Sequence, residues 1–295
     1  MKARVFRRIL VVSSLALLAS ALGYSSATAQ TNRPMSFVPA EQLVYRGEFS
    51  KLLLRGIDVA EVRLTAARTP APDRDQAAAR SDMKLQFTGE VTSKGWFQRL
   101  FGLNFRYLVK SIVEPMSFGV VRNTTLDEQG KRRRVSETVF DFTERKIVWT
   151  ERDPEDPNRE PRVVTSPFDG ATQDIISAIY FLRTQPLKAG MSFEVPVADN
   201  GAIYHIPARV VETKQFKTVL GKIEALRVDV DIFGEQRLVN GSGECSIWFT
   251  NDARHIPVRA RLSNSLGTLD LKLKEWRLGE QTVNGMRSVE ERQRW

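Results

Sequence analysis

Apolar and polar residues alternate with a period of two over most of this chain. Leu85, Phe87, Gly89 and Val91 interleave with Lys84, Gln86, Thr88 and Glu90, and the same rhythm runs through 105–111, 226–232, 256–262 and 269–274. Successive side chains of a strand point to opposite faces, so the pattern predicts strands with one dry and one wet face. Antiparallel sheets commonly keep one face in water.

Turn-forming residues part these runs at hairpin distances, as in Asp127-Glu128-Gln129-Gly130, Thr143-Glu144-Arg145 and Asn264-Ser265-Leu266-Gly267. The result is a meander of roughly a dozen strands, more than an open, twisted sheet holds without curling. The expected fold is mainly β: a curved antiparallel meander, half-barrel or barrel, with one helix packed on its concave face.

Two segments break the period. Residues 172–183 predict that helix. Thr172 serves as N-cap and Asp174 sits in the first turn, where negative charge suits the helix dipole. Ile175, Ala178, Ile179 and Leu182 form its apolar stripe, Tyr180 and Phe181 widen it, Arg183 ends it and Pro186 prevents its continuation. The other segment, Gly95-Trp96-Phe97-Gln98-Arg99-Leu100-Phe101, reads as a short helical turn lying across the sheet. Stretches 66–82 and 153–162 read as loops, and there is no internal repeat.

The first residues follow a different logic. A basic start (Lys2, Arg4, Arg7, Arg8), an apolar run from Ile9 to Leu22 and the small-residue site Ala27-Thr28-Ala29 make a secretory signal peptide. The apolar run is shorter than the roughly 20 residues that span a bilayer. The expected organisation is a signal peptide at 1–29, a polar tail at 30–40, one β-rich domain at 41–278 and a polar tail at 279–295. With cleavage near Ala29/Gln30 and no cysteine at that site, the mature chain is expected in the periplasm, neither lipid-anchored nor membrane-spanning. A terminal outer-membrane strand would need alternation that residues 289–295 lack.

Charge and rare residues then narrow the function. The formal charge of +9 drops to +5 once the leader's four bases, unaccompanied by any acid, are removed. That mild excess fits attraction to anionic lipid or envelope polymers and gives no case for nucleic acid. Cys245 is the single cysteine, so no internal disulfide forms, and its place in an alternating run reads as a buried thiol. Only His205 and His255 are histidines, and no spacing supports a metal or other cofactor.

Three stretches carry a family resemblance. They are Leu43-Val44-Tyr45-Arg46-Gly47, then 174–183 with Pro186-Leu187-Lys188-Ala189-Gly190, then Ile247-Trp248-Phe249-Thr250-Asn251-Asp252-Ala253-Arg254-His255-Ile256-Pro257-Val258 with Gly267. Together they span about Leu43 to Trp276, and the chain resembles the bacterial exported domain-of-unknown-function family 3108. The resemblance implies a β-rich envelope protein with no assigned activity. It marks Tyr45, Asp174, Arg183, Trp248, Asp252 and Pro257 as motif positions.

Candidate sites remain few. Trp96, Phe97, Phe101, Phe105 and Tyr107 are dense enough to line an apolar ligand cavity, and core packing explains them as well. Lys131, Arg132, Arg133 and Arg134 form the strongest charge run, read as a solvated hairpin arm or a contact to an anionic surface. Asp252 and His255 read first as a turn, because Asp bonds its own downstream backbone; a hydrolase would use them as an acid–base pair, yet no nucleophile motif accompanies them. The leading expectation is non-enzymatic binding of a lipid or apolar molecule. A scaffold docking another envelope protein is the alternative, and a hydrolase the weakest.

Overall fold

Fourteen strands form one antiparallel sheet in the computed structural model, which describes residues 37–71, 83–95, 99, 102 and 104–279. The expected leader, positions 30–36 of the expected tail, Trp96, Phe97, Phe101 and residues 280–295 lie outside the described residues. The strands are β1 (Glu41–Lys51), β2 (Leu54–Pro70), β3 (Met83–Ser93), β4 (Phe105–Val113), β5 (Val120–Gln129), β6 (Arg132–Asp141), β7 (Lys146–Arg152), β8 (Arg162–Pro167), β9 (Ser192–Asp199), β10 (Ala202–Thr218), β11 (Gly221–Val230), β12 (Gly243–Thr250), β13 (Pro257–Asn264) and β14 (Gly267–Leu278). The helix α1 (Ile175–Thr184) links β8 to β9.

Every strand pairs with its sequence neighbour, except across α1, and β14 returns to pair with β1. The two ends of the domain therefore meet in mid-sheet, while β8 and β9 form the edges. Register places Tyr45, Val62, Val91, Tyr107 and Asp127 side by side across β1 to β5. A second inward row runs Phe87, Ser111, Asn123, Thr138, Trp149, Val164 across β3 to β8. The inner face is thus apolar near β1 and turns polar toward β5 and β6.

The sheet is not closed by strand pairing. Instead, Ser166 Oγ donates to the Gly201 carbonyl at 2.6 Å. A Cβ on Gly201 would stand 2.6 Å from Val164 Cβ, so the β9–β10 turn rests directly on the face that carries Val164 and Trp149. The seam is side chain on backbone.

The helix begins three residues later than the sequence pattern predicts. Thr172 and Gln173 are held as extended backbone: Val120 N donates to Thr172 O, and Gln173 bridges Val197 of β9. Asp174 is the N-cap, accepting from Ile176 N and Ser177 N, while Ser177 Oγ accepts from Asp174 N in a reciprocal capping box. Strand pairing outcompetes the weak helix preference of Thr and shifts the start. The end agrees with the pattern: Gln185 is extended and Pro186 follows.

α1 lies on the concave side. Tyr180 stacks on Phe87 of β3 at 4.1 Å between ring centroids, and Ile176 fills the space that the absent side chain of Gly89 leaves. Phe37 lies edge-on to both Phe87 and Tyr180, so the end of the expected polar tail belongs to the core. A second cluster joins Leu182 and Leu187 to Val195, Ile206, Val228 and Phe249 of β9 to β12. Full burial of one such side chain stabilises by about 1.5–3 kcal/mol, and a plug touching both halves of the sheet fixes its curvature. Two smaller differences follow from strand length: β2 continues to Pro70 through the first part of the expected 66–82 loop, and β5 runs to Gln129, moving the turn to Gly130 and Lys131.

Candidate functional site

The N-terminal end of α1 points into the open half of the sheet. Ile175, its first residue, is 42 % exposed although the helix is enclosed on its other sides. Val62, Val91, Tyr107 and Ile179 are likewise only partly buried, and the first three belong to the inward row described above, where Val91 packs beside Phe49, Val59 and Phe105. This apolar wall continues into a polar one. Asn123 Nδ2 donates to Asp174 Oδ2 at 2.7 Å, Tyr107 is hydrogen-bonded to the Thr125 side chain, and Asp127 holds Arg132 Nη1 at 2.9 Å.

Asp199, at the end of β9, completes this region. Burial pushes its carboxyl up to about 7, the nearby Asp174 charge adds to the rise, and the Asn200 amide opposes it by donating at 2.8 Å. Burial likewise raises the Tyr107 hydroxyl, with Asp199 contributing. The arrangement suits a molecule with an apolar body and a hydrogen-bonding head. Among the described residues no three His, Cys, Asp or Glu side chains are grouped to hold a metal ion.

The motif positions gather mostly at the opposite end. Arg183 forms a buried pair with Glu41, and its Nη2 also donates to the Arg254 carbonyl at 3.2 Å. Trp276 Nε1 donates to Glu41 Oε1 at 2.9 Å, and Tyr45 Oη to the Pro257 carbonyl at 2.7 Å. Asp252 accepts from Thr250 Oγ1 and from the backbone and guanidinium of Arg254, which hold its carboxyl below the ordinary range against the opposing effect of burial. His255 takes a left-handed backbone (φ 40°) and places Nδ1 2.8 Å from the Arg183 carbonyl. Asp252 and His255 thus each engage other groups. Trp248 packs edge-on to Phe216 beneath the Arg259 guanidinium.

Of the proposed ligand-lining aromatics, Phe105 is buried with Phe49 and Val59, and Tyr107 lies partly buried on the inward row opposite Asp127, near Asp174 and Asp199. The basic run is largely spoken for: Arg132 pairs with Asp127, Arg133 with Glu128 and Arg134 with Asp153, leaving Lys131 at the turn. Sequence reasoning missed Glu41, Asp199 and Phe37. Glu41 carried a usable signal, an acid in phase with the inward Leu43 and Tyr45. Asp199 carried none, because Asp-Asn-Gly reads as a turn.

Comparison with known proteins adds the following. The family model described as "Protein of unknown function (DUF3108)" matches residues 49–274. The crystal structure of a β-barrel-like protein of domain of unknown function DUF1849 from Brucella abortus is similar in fold, with a TM-score of 0.51 at 8 % identity, covering 81 % of this chain and 97 % of that one. No curated protein matches.

Proposed function

The chain belongs to the DUF3108 family of proteins of unknown function, and from that premise we propose an exported envelope protein that binds a lipid or other apolar-bodied molecule without catalysis. The observation that carries this reading is incomplete filling of the inner face: Ile175 on the enclosed helix remains 42 % exposed, and Val62, Val91 and Tyr107 of the inward row are themselves only partly buried. Curved antiparallel sheets that are incompletely filled hold apolar ligands in such places. The polar groups at Asn123, Asp127 and Asp199 supply a head-group end. Export rests on the leader, and the absence of catalysis on the engagement of Asp252 and His255 by other partners.

Native mass spectrometry after mild extraction tests binding, and Ile175→Trp, which fills the open side, is expected to lose the copurifying molecule. A wild-type protein with no bound lipid and no fatty-acid affinity rejects it. Mature protein beginning at Gln30 in the periplasmic fraction tests export. A docking role is favoured by one observation, the outer edge of β8, to which no strand pairs and on which Val163 is exposed. A single recurrent protein adduct after crosslinking in cells would support it, although Pro161, Arg162 and Pro167 are the residues that usually blunt such an edge.

A further inference from the structure

The turn between β1 and β2 presents Leu52 at 87 % and Leu53 at 98 % exposure, followed by a half-exposed Leu54. Among the described residues, other exposed large apolar side chains occur one at a time, which is ordinary. Three in succession on a projecting tip are not. Folding gains nothing from leaving them in water, and Leu52 holds a left-handed backbone (φ 50°) to form the turn. A convex tip offers a protein partner no groove, whereas an acyl layer accepts one without a complementary shape.

The flanks carry the matching charge. Lys51 and Arg55 bracket the leucines, and no described carboxylate lies within ion-pairing distance of either. Beside them an open depression of about 540 Å³ separates this tip from the β13–β14 turn, lined by Leu52 and Gly267 together with the polar groups of Ser50, Lys51, Arg55, Asn264, Ser265 and Thr268. Two cations with hydroxyl and amide donors are the chemistry that receives a phosphate. Strand polarity places the β5–β6 turn, with exposed Lys131, at this same end of the sheet.

We propose that the β1–β2 tip docks on a bilayer surface of anionic phospholipid, with Leu52 and Leu53 entering the acyl region while Lys51 and Arg55 meet headgroup phosphate. Each basic residue near such a surface adds to binding in a salt-dependent way. This surface is separate from the wall at Ile175 and stands without it.

Cosedimentation of the purified protein with phosphatidylglycerol-rich vesicles, and with phosphatidylcholine vesicles as comparison, tests the proposal. Wild type is expected to sediment with the anionic vesicles and to be released by salt. The Leu52→Asn/Leu53→Ser pair is expected to bind about a hundredfold more weakly or worse, the scale set by withdrawing two leucine side chains from lipid. The Lys51→Gln/Arg55→Gln pair should lose the preference for anionic vesicles. Both pairs alter exposed side chains, and unchanged thermal melts check that they fold; Leu53→Ser alone serves if the pair does not. Wild type that stays in the supernatant, a leucine pair that binds as wild type, or equal binding to neutral vesicles overturns the proposal. So does sedimentation velocity showing a dimer that the leucine pair abolishes, which assigns the tip to a second copy. Ligand loading of Ile175→Trp by native mass spectrometry reads the interior separately, so either reading can fail alone.

Discussion

Glu41 and Arg183 stand 142 positions apart and form a two-pronged ion pair, Nη1 to Oε2 at 2.5 Å and Nη2 to Oε1 at 3.0 Å, with both side chains buried. It ties the start of β1 to the last turn of α1. The Arg254 carbonyl and Trp276 Nε1 satisfy further donors and acceptors, so both charges are hydrogen-bonded as burial demands.

Removing one partner strands the other. Glu41→Ala leaves a buried guanidinium and is expected to cost about 3–5 kcal/mol, whereas replacing both, as Glu41→Leu with Arg183→Met, should cost clearly less than the sum of the single changes. Urea unfolding of Glu41→Leu, Arg183→Met and the double variant measures this. Additive losses would show that the pair is not coupled.

Gly89 is required by α1. A methyl group there would stand 2.8 Å from Ile176 Cγ1 and closer still to Cδ1. Gly89→Ala is therefore expected to destabilise by about 1–3 kcal/mol through overpacking. Ile176→Val removes Cδ1 and should recover part of that loss in the double variant, a favourable coupling visible in a double-mutant cycle. Equal losses with and without the valine would mean that Ile176 Cδ1 is not the atom that the new methyl displaces.

The strands and the plug were legible because burial on one face writes itself as alternation: Leu85, Phe87 and Gly89 read as inward, all three face the core, and the last two meet Tyr180 and Ile176 of α1. The two edges were not legible. What holds Thr172 and Gln173 extended is Val120 on one side and Pro196 and Ala198 on the other, long-range pairings that no local propensity reports. The candidate site suffered likewise. Tyr107 was readable as inward, but Ile175 read as part of the helix stripe, and its exposure depends on how far the sheet rolls. Leu52 to Leu54 drew no notice in the sequence, where three apolar residues in a row read as part of a strand; their exposure follows from the turn they form.

Cys245 is expected to be chemically quiet. Burial pushes its thiol up to about 12, with the Asp229 charge adding to the rise. An ordinary thiol titrates near about 8.5, so the thiolate fraction at neutral pH falls by roughly a thousandfold, and reactivity follows the thiolate. Iodoacetamide should label the native protein very slowly and the urea-unfolded protein at the rate of a free thiol. Rapid native labelling would place Cys245 in a far more open setting.

Asp199 should make stability depend on pH in the direction opposite to a salt-bridged acid. Its folded value of about 7 lies above the ordinary aspartate value of about 3.9. Between those limits the folded protein keeps a proton that the unfolded chain releases. The folded state then binds more protons, so this group's contribution is greatest in acid and is lost as pH rises from about 4 to about 7. The slope is at most about 1.4 kcal/mol per pH unit. Asp199→Asn keeps the shape and cannot ionise. It should match wild type near pH 4 and exceed it in stability at pH 8, with the gap opening across that window. Asp174→Asn, which retains the cap but removes the neighbouring charge, should move the window to lower pH. Urea unfolding from pH 4 to 8 reads all three proteins, and parallel profiles for wild type and Asp199→Asn would mean that the carboxyl is solvated at the mouth of the sheet.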